Sequence, residues 1–188
     1  FKVSRITTTP ETIEIAGNQD ALNKIENISL ADVIDMSAVS FNNREFNMNI
    51  AIPDGIRNIS NTDTVKVSIN LNGYKEMEIP ITEFVVLHGP ASKEITVSTK
   101  LLDVIAIGPE AQINKLTKEM VYANIDMKDK ADKNGSYEVP ATILIKDMNS
   151  CWISGKYTVN VEVKDAVASS KNVVTMSVND VFMSSTTD

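Results

Sequence analysis

The chain has 188 residues, of which 43% are hydrophobic and 23% charged, so it can bury a core, and disorder and fibrous structure are excluded. Its net charge of -7, with Lys residues scattered along the chain, lacks the basic patch that phosphate binding needs, which excludes nucleic acid as an expected partner. No apolar run approaches the roughly 18 residues of a membrane helix, and a single Cys forms neither an internal disulfide nor a thiolate zinc site.

The first part of the chain predicts a strand, a short helix and several further strands. In the helix, Leu22, Ile25 and Ile28 are spaced by three and follow the capping candidates Asn18 and Asp20. Beyond the helix, apolar and polar residues alternate in segments typical of half-buried antiparallel strands, at residues 46–52, 65–71 and 76–81. A mostly β domain with one short helix is therefore predicted.

The chain then repeats itself. A shift of 91 residues aligns residues 13–36 with residues 104–127 without a gap, and six positions are identical where roughly one or two would match by residue usage alone. The identical pairs are Gly17 and Gly108, Asn23 and Asn114, Lys24 and Lys115, Ile34 and Ile125, Asp35 and Asp126, and Met36 and Met127. This similarity indicates a duplicated domain.

The same shift continues into the strands that follow. Residues 46–52 fall on residues 137–143, and with one inserted residue Val65 falls on Tyr157. The predicted fold is thus two tandem repeats of a small antiparallel β domain, each with one short helix. The predicted boundaries are residues 1–82 for the first repeat and 83–165 for the second, with a turn near His88.

Residues 166–188 are predicted to hold one more strand and a polar tail. Apolar and polar residues alternate over residues 174–178, and this segment mirrors residues 76–81. We interpret it as the start of a further repeat. The Ser- and Thr-rich tail that follows is expected to fray.

His88 and Cys151 are candidates for catalysis only if they act together. His88 is the only histidine, so it can form neither a metal-binding His cluster nor a relay with a second imidazole, and it is expected to be an exposed loop residue. Cys151, next to Trp152, would need His88 to become a nucleophile, and no motif supports this pairing. A small apolar residue near the start of a strand is the favoured interpretation.

Acidic residues before Gly135 suggest a calcium loop, and the spacing excludes one. With Gly135 as the sixth residue of an EF-hand loop, Lys130 is first and Ala141 twelfth, where the motif requires Asp and Glu. Lys residues also alternate with the acidic ones, so a solvated turn is predicted. No metal site is expected.

The duplicated Asp and Gly residues have structural interpretations. Asp35 and Asp126 belong to different repeats, so we expect each to cap backbone amides in a turn and not to form a catalytic pair. Gly17 and Gly108 stand alone and are expected to serve the turn between strand and helix. Because Walker, Rossmann and nucleophile-elbow motifs are absent, we predict no catalytic residues, no cofactor-binding residues and no enzyme.

The order strand, Gly, short helix, Ile-Asp-Met and alternating strand resembles the YbbR-like domain family. The resemblance covers nearly the whole chain as a diffuse β pattern. It is carried in the first repeat by residues 10–17 and 34–37, and in the second by residues 104–109, 125–127 and 155–161. It implies strings of small β domains, and it supplies no catalytic or binding residues that could be transferred to this chain.

The resemblance also implies a function. The best-understood members of the family regulate a membrane-embedded diadenylate cyclase, which makes cyclic di-AMP, and are held outside the cell by an N-terminal membrane helix. We therefore expect a non-catalytic, extracytoplasmic regulator at the cell surface, with that cyclase as its protein partner. The chain begins at Phe1 without a signal peptide, so it is expected to be a segment whose anchor lies upstream. A surface spacer, adhesion or glycan-binding module is the alternative, and the oligomeric state stays open.

Overall fold

The computed structural model describes residues 5–128, 130 and 133–166. In the first part of the chain the strands are β1 (Ile6–Thr9), β2 (Ile15–Gly17), β3 (Ser29–Leu30), β4 (Glu45–Ala51), β5 (Ile56–Asn58), β6 (Thr64–Ile69), β7 (Tyr74–Ile81) and β8 (Phe84–Leu87). In the second part they are β9 (Lys93–Val97), β10 (Leu102–Pro109), β11 (Val121–Asp126), β12 (Gly135–Ile145), β13 (Trp152–Ser154) and β14 (Tyr157–Asp165). The described residues are mostly β, as the sequence predicts.

The two α-helices lie at equivalent places of the repeat. α1 (Gln19–Leu22) and α2 (Glu110–Ile113) begin 91 residues apart, and each is followed by an Asn in the right-handed helical conformation. The first helix is shorter than predicted, because it ends at Leu22 and leaves Ile25 and Ile28 in the segment that follows. In α1 the Asn18 side chain caps the helix by accepting a hydrogen bond from the Ala21 backbone N–H at 2.8 Å, whereas Pro109 holds the same position in α2. Each repeat also has a 3₁₀ helix, Met36–Ala38 in the first and Lys118–Met120 in the second.

The sheets show that the two repeats share one strand order. In the first repeat the larger sheet runs β1-β6-β4-β3, and in the second it runs β9-β14-β12-β11 and then β8. A smaller sheet pairs β2 with β5 in the first repeat and β10 with β13 in the second, where β7 adds a third strand. The duplication predicted from the sequence is therefore seen in the matching strand order of the two repeats. Among the described residues, β7 and β8 have no counterpart in the first repeat.

The pairing register corrects the alignment of the last strand in each repeat. Val65 lies opposite Met48, and Val159 lies opposite Val139, which is the counterpart of Met48. Val65 therefore corresponds to Val159, and not to Tyr157 as the alignment with one inserted residue has it. Because the error is two residues, the same face of the strand still points into the core.

Both strands at the predicted boundary pair with the second repeat. β7 is antiparallel to β10 along its whole length, and β8 is parallel to β11, which is an exception to the antiparallel pairing predicted for the fold. Backbone hydrogen bonds also join the repeats, from Glu110 to the Gly73 carbonyl at 3.0 Å and from Gly155 to the Ser37 carbonyl at 2.8 Å. The boundaries at 82 and 83 and the separate segment 166–188 stay predictions.

The most completely buried core lies in the second repeat. There β7 contributes Ile79 and Ile81, which pack with Val104, Leu116 and Val121, all of them buried. The β11-β12-β14 part of the sheet forms a second buried cluster. No helix of the described ranges is long and apolar enough to cross a membrane.

Candidate functional site

The duplicated carboxylates serve equivalent turns. The carboxylate Oδ1 of Asp35 accepts a hydrogen bond from the Ser37 backbone N–H, and that of Asp126 accepts one from the Lys128 N–H, both at 2.9 Å. Hydrogen bonds from Ser37 lower the pKa of Asp35, and the Lys128 N–H, followed by the His88 side chain, lowers the pKa of Asp126. The predicted capping role is confirmed for both residues.

These turns predict a specific response to acid. Because the folded pKa of Asp126 lies below its ordinary value of 3.8, its contribution to stability is present above that value and is lost as pH falls through the folded pKa. We expect Asp126→Asn, which keeps an acceptor oxygen, to flatten the loss of melting temperature between about pH 5 and pH 2. Asp126→Ala should also lower the melting temperature at pH 7. Thermal unfolding across this pH range measures both, and an unchanged acid slope in the Asn variant would contradict the assignment.

His88 is exposed, as predicted, and it pairs with Asp126. Its Nδ1 lies 2.9 Å from the Asp126 Oδ1, and the two side chains are 64% and 57% exposed. The sequence did not predict this contact, because it depends on the parallel pairing of β8 with β11. An ion pair this exposed contributes little to stability. Neither side chain lies in an enclosed site where it could act as a catalytic acid or base.

Cys151 lies in a setting that disfavours a reactive thiol. It is half-buried at the edge of the second repeat's core, and burial raises the pKa of its thiol above the ordinary value. The contact that His88 makes goes to Asp126, so the structure does not bring the histidine to the thiol. The interpretation of Cys151 as a small packing residue is the one that the geometry supports.

Gly17 and Gly108 are close-contact positions, which corrects the role in a turn expected for them. Neither has a positive φ. A Cβ at Gly17 would come within 2.6 Å of the Ile56 Cδ1, and a Cβ at Gly108 would overlap the Sγ of Cys151, the residue just before β13. Both repeats thus need Gly so that the neighbouring strand can approach.

Metal binding requires several clustered ligands. Within the part of the chain that the structure describes, no three His, Cys, Asp or Glu side chains group in a way that could hold a metal ion. The carboxylates of Asp35 and Asp126 are each engaged in their own turn. The expectation of no metal, cofactor or catalytic residue stays a prediction.

The most distinctive surface is an apolar groove in the first repeat. It has a volume of about 630 Å³ and is lined mainly by aliphatic side chains, and we call it the β2 groove. The aliphatic residues that line it are Ile13, Ile15, Ile25, Ile28, Leu30, Ile50 and Val65.

The β2 groove lies where no described strand covers the first repeat. Ile25 and Leu30 are only half-buried, whereas their counterparts Leu116 and Val121 are 5% and 0% exposed. In the second repeat β7 covers these positions, and no described residue pairs with the corresponding edge of β2. An open strand edge beside an apolar groove is suited to binding a partner strand.

The comparisons with known proteins agree with the resemblance seen in the sequence. The model of the YbbR-like protein family matches residues 1–69. The chain is 22% identical over 156 residues to the CdaA regulatory protein CdaR of Bacillus subtilis, a match that covers 82% of this chain and 31% of that protein. The chain thus spans about a third of the length of this relative.

Two solved structures are also similar. A YbbR-like domain of the lmo2119 protein from Listeria monocytogenes matches at 19% identity and a TM-score of 0.38, covering 50% of this chain and 98% of that one. A YbbR-like protein from Streptococcus pneumoniae matches at 13% identity and a TM-score of 0.35, covering 88% and 89%. The family model and the CdaR match confirm the predicted resemblance of this chain to the YbbR-like proteins.

Proposed function

We propose that the chain is a non-catalytic protein-interaction module of an extracytoplasmic regulator, and that its parent protein acts on a membrane-bound diadenylate cyclase. The observation that carries this proposal is the similarity to the CdaA regulatory protein CdaR, which extends over 82% of the chain. The proposed partner is a protein, and the membrane is reached only through an anchor outside this sequence.

The structure supports an interaction role in two ways. The β2 groove offers an open strand edge and aliphatic side chains, which are the features used in strand addition between proteins. The carboxylates of Asp35 and Asp126 accept hydrogen bonds within their own turns, and the Cys151 thiol is half-buried with a raised pKa. Binding of a partner therefore fits the described residues better than covalent or acid-base chemistry does.

An extracytoplasmic module cannot reach a cytoplasmic active site, so its effect must pass through a membrane segment. Such control requires that the regulator interacts differently with two states of the cyclase. We therefore expect the effect to depend on tethering to the membrane. A soluble form of the chain would have much less influence on the cyclase than the anchored parent protein.

The test is co-expression of the parent protein with the diadenylate cyclase of its own source. We expect cyclic di-AMP levels to change and the two proteins to co-purify in mild detergent. The matched control keeps the parent protein's anchor and deletes residues 1–188, and it should lose both effects. Unchanged cyclic di-AMP together with no co-purification would overturn the proposal and favour a surface spacer or adhesion module.

A further inference from the structure

The second repeat is joined to the first by the chain itself and by a separate contact. The chain passes between the repeats at Gly73, whose carbonyl oxygen accepts a hydrogen bond from the Glu110 backbone N–H at 3.0 Å. Away from this connection, residues 35–39 of the first repeat contact β13 of the second, and we call these residues the Asp35 turn. A chain connection alone leaves two domains free to move relative to each other, so the separate contact limits that motion.

Backbone carbonyl groups of the Asp35 turn face the second repeat. The Ser37 carbonyl accepts a hydrogen bond from the Gly155 backbone N–H at 2.8 Å, and the Val39 carbonyl accepts one from the indole N–H of Trp152 at 3.2 Å. Gly155 has a φ of 98°, a conformation that favours Gly. Because both acceptors are backbone atoms, the contact depends on the shape of the turn.

The Asp35 carboxylate holds the turn in this shape. Its Oδ1 accepts a hydrogen bond from the Ser37 backbone N–H at 2.9 Å, so Ser37 is bound to Asp35 on one side and to Gly155 on the other. Hydrogen bonds from Ser37, and to a smaller extent the charge of Lys156 in the second repeat, lower the pKa of Asp35. The carboxylate is thus ionised at neutral pH, in the form that accepts hydrogen bonds best.

The junction is packed on one side and open on the other. The Trp152 side chain packs on the first-repeat cluster that contains Val39. Beside Ser37 lies a cavity of about 280 Å³, which is lined in the second repeat by residues that include Ile153 and Tyr157. This space allows the second repeat to tilt when the hydrogen bonds of the turn are lost.

The equivalent turn of the second repeat serves as an internal comparison. Asp126 accepts a hydrogen bond from the Lys128 N–H at 2.9 Å, as Asp35 does from Ser37. This turn contacts β8 of its own repeat, because the Met127 N–H donates to the Leu87 carbonyl at 2.9 Å. The same local structure therefore holds a strand within one repeat and the neighbouring repeat in the other.

We propose that Asp35 is a positioning residue for the junction. Its carboxylate holds the Ser37 carbonyl toward Gly155 and so fixes the orientation of the second repeat on the first. Without the carboxylate the Asp35 turn loosens, and the second repeat moves about the connection at Gly73 while both repeats stay folded. This role concerns the chain alone and does not depend on an action on a cyclase.

The first experiment measures hydrogen exchange at the junction by NMR. The chain has one Trp, so the indole N–H of Trp152 gives a single resonance, and the Gly155 amide is the second probe. We expect Asp35→Ala to speed exchange of both by about fivefold, the effect of losing a typical capping interaction. Asp35→Asn keeps an acceptor oxygen and should stay close to the wild type. The matched control Asp126→Ala should leave both probes unchanged.

Amides in the core strands β6 and β11 distinguish a loosened junction from a destabilised repeat. They should exchange at the wild-type rate in Asp35→Ala, because the cores stay folded. Equal acceleration of the core amides and the two junction probes would overturn the proposal. Unchanged exchange of the Trp152 indole and the Gly155 amide would overturn it too, as would an Asp35→Asn variant as fast as Asp35→Ala.

A second experiment measures the orientation of the repeats directly. Spin labels are attached to Asp54→Cys and Glu94→Cys, which are exposed positions of the first and second repeat, in chains with Cys151→Ser. Electron spin resonance should give a narrow distribution of label distances when Asp35 is present and a broader one with Asp35→Ala. Asp126→Ala should keep the narrow distribution. Equal widths in all three chains would contradict the proposed role of Asp35.

Discussion

Trp152→Ala is expected to lower the free energy of unfolding by about 2–4 kcal/mol, somewhat less than for a fully buried Trp because this side chain is half-buried. The indole N–H of Trp152 donates to the Val39 carbonyl at 3.2 Å, and its ring lies 5.7 Å from the Tyr74 ring. Trp152 begins β13 of the second repeat, and it packs on a cluster of the first repeat that contains Val39 and Leu71. Its removal therefore opens the junction between the repeats.

Urea unfolding followed by circular dichroism measures this effect without relying on Trp fluorescence. If the junction couples the repeats, the wild type unfolds in one transition and the Ala variant in two. Trp152→Phe is the matched control, because it keeps an aromatic ring and loses mainly the hydrogen bond, at a cost of about 1 kcal/mol. A single unchanged transition in the Ala variant would show that Trp152 does not couple the repeats.

Gly108→Ala is expected to cost about 1–3 kcal/mol, the range for overpacking a well-packed core. The new Cβ would overlap the Sγ of Cys151 and would lie 3.2 Å from its Cβ and 3.4 Å from its Cα, so the β13 backbone has to move. Gly17→Ala should cost less. There the closest atom is the Cδ1 of Ile56, the flexible end of a side chain, although the Gly55 carbonyl oxygen is also near at 3.1 Å.

A double variant separates crowding from a general effect of the substitution. Cys151→Ala removes the overlapping Sγ, so Gly108→Ala should cost less in that background, and the difference is a coupling energy between the two positions. Chemical denaturation of the wild type, the two single variants and the double variant gives all four values. Strict additivity would mean that the Gly108–Cys151 contact is not the reason for Gly at this position.

The backbone contacts between the repeats bear on the proposed function. β7 leaves the first repeat and forms the edge of the second repeat's small sheet, and hydrogen bonds from Glu110 and Gly155 reach back to Gly73 and Ser37. The two repeats are thus joined by a strand and not by a free linker. A joint of this kind holds the two repeats together more firmly than a flexible linker would.

The sequence by itself determined the features that depend on neighbours in the chain. The period of two predicted the strands, and the shift of 91 placed α1 on α2 and Asp35 on Asp126. The carboxylate turns were predictable because Asp35 and Asp126 each bind an amide two residues further on.

Only the tertiary structure decided which strands meet. The pairing of β7 with β10, the correspondence of Val65 with Val159 and the contact of His88 with Asp126 all join residues far apart in the chain. The reason for Gly108 depends on Cys151, which lies opposite it across the sheet. The β2 groove became recognisable only when the second repeat showed which strand covers that edge. Local periodicity specifies the face that each strand buries, but the partner strand depends on long-range packing.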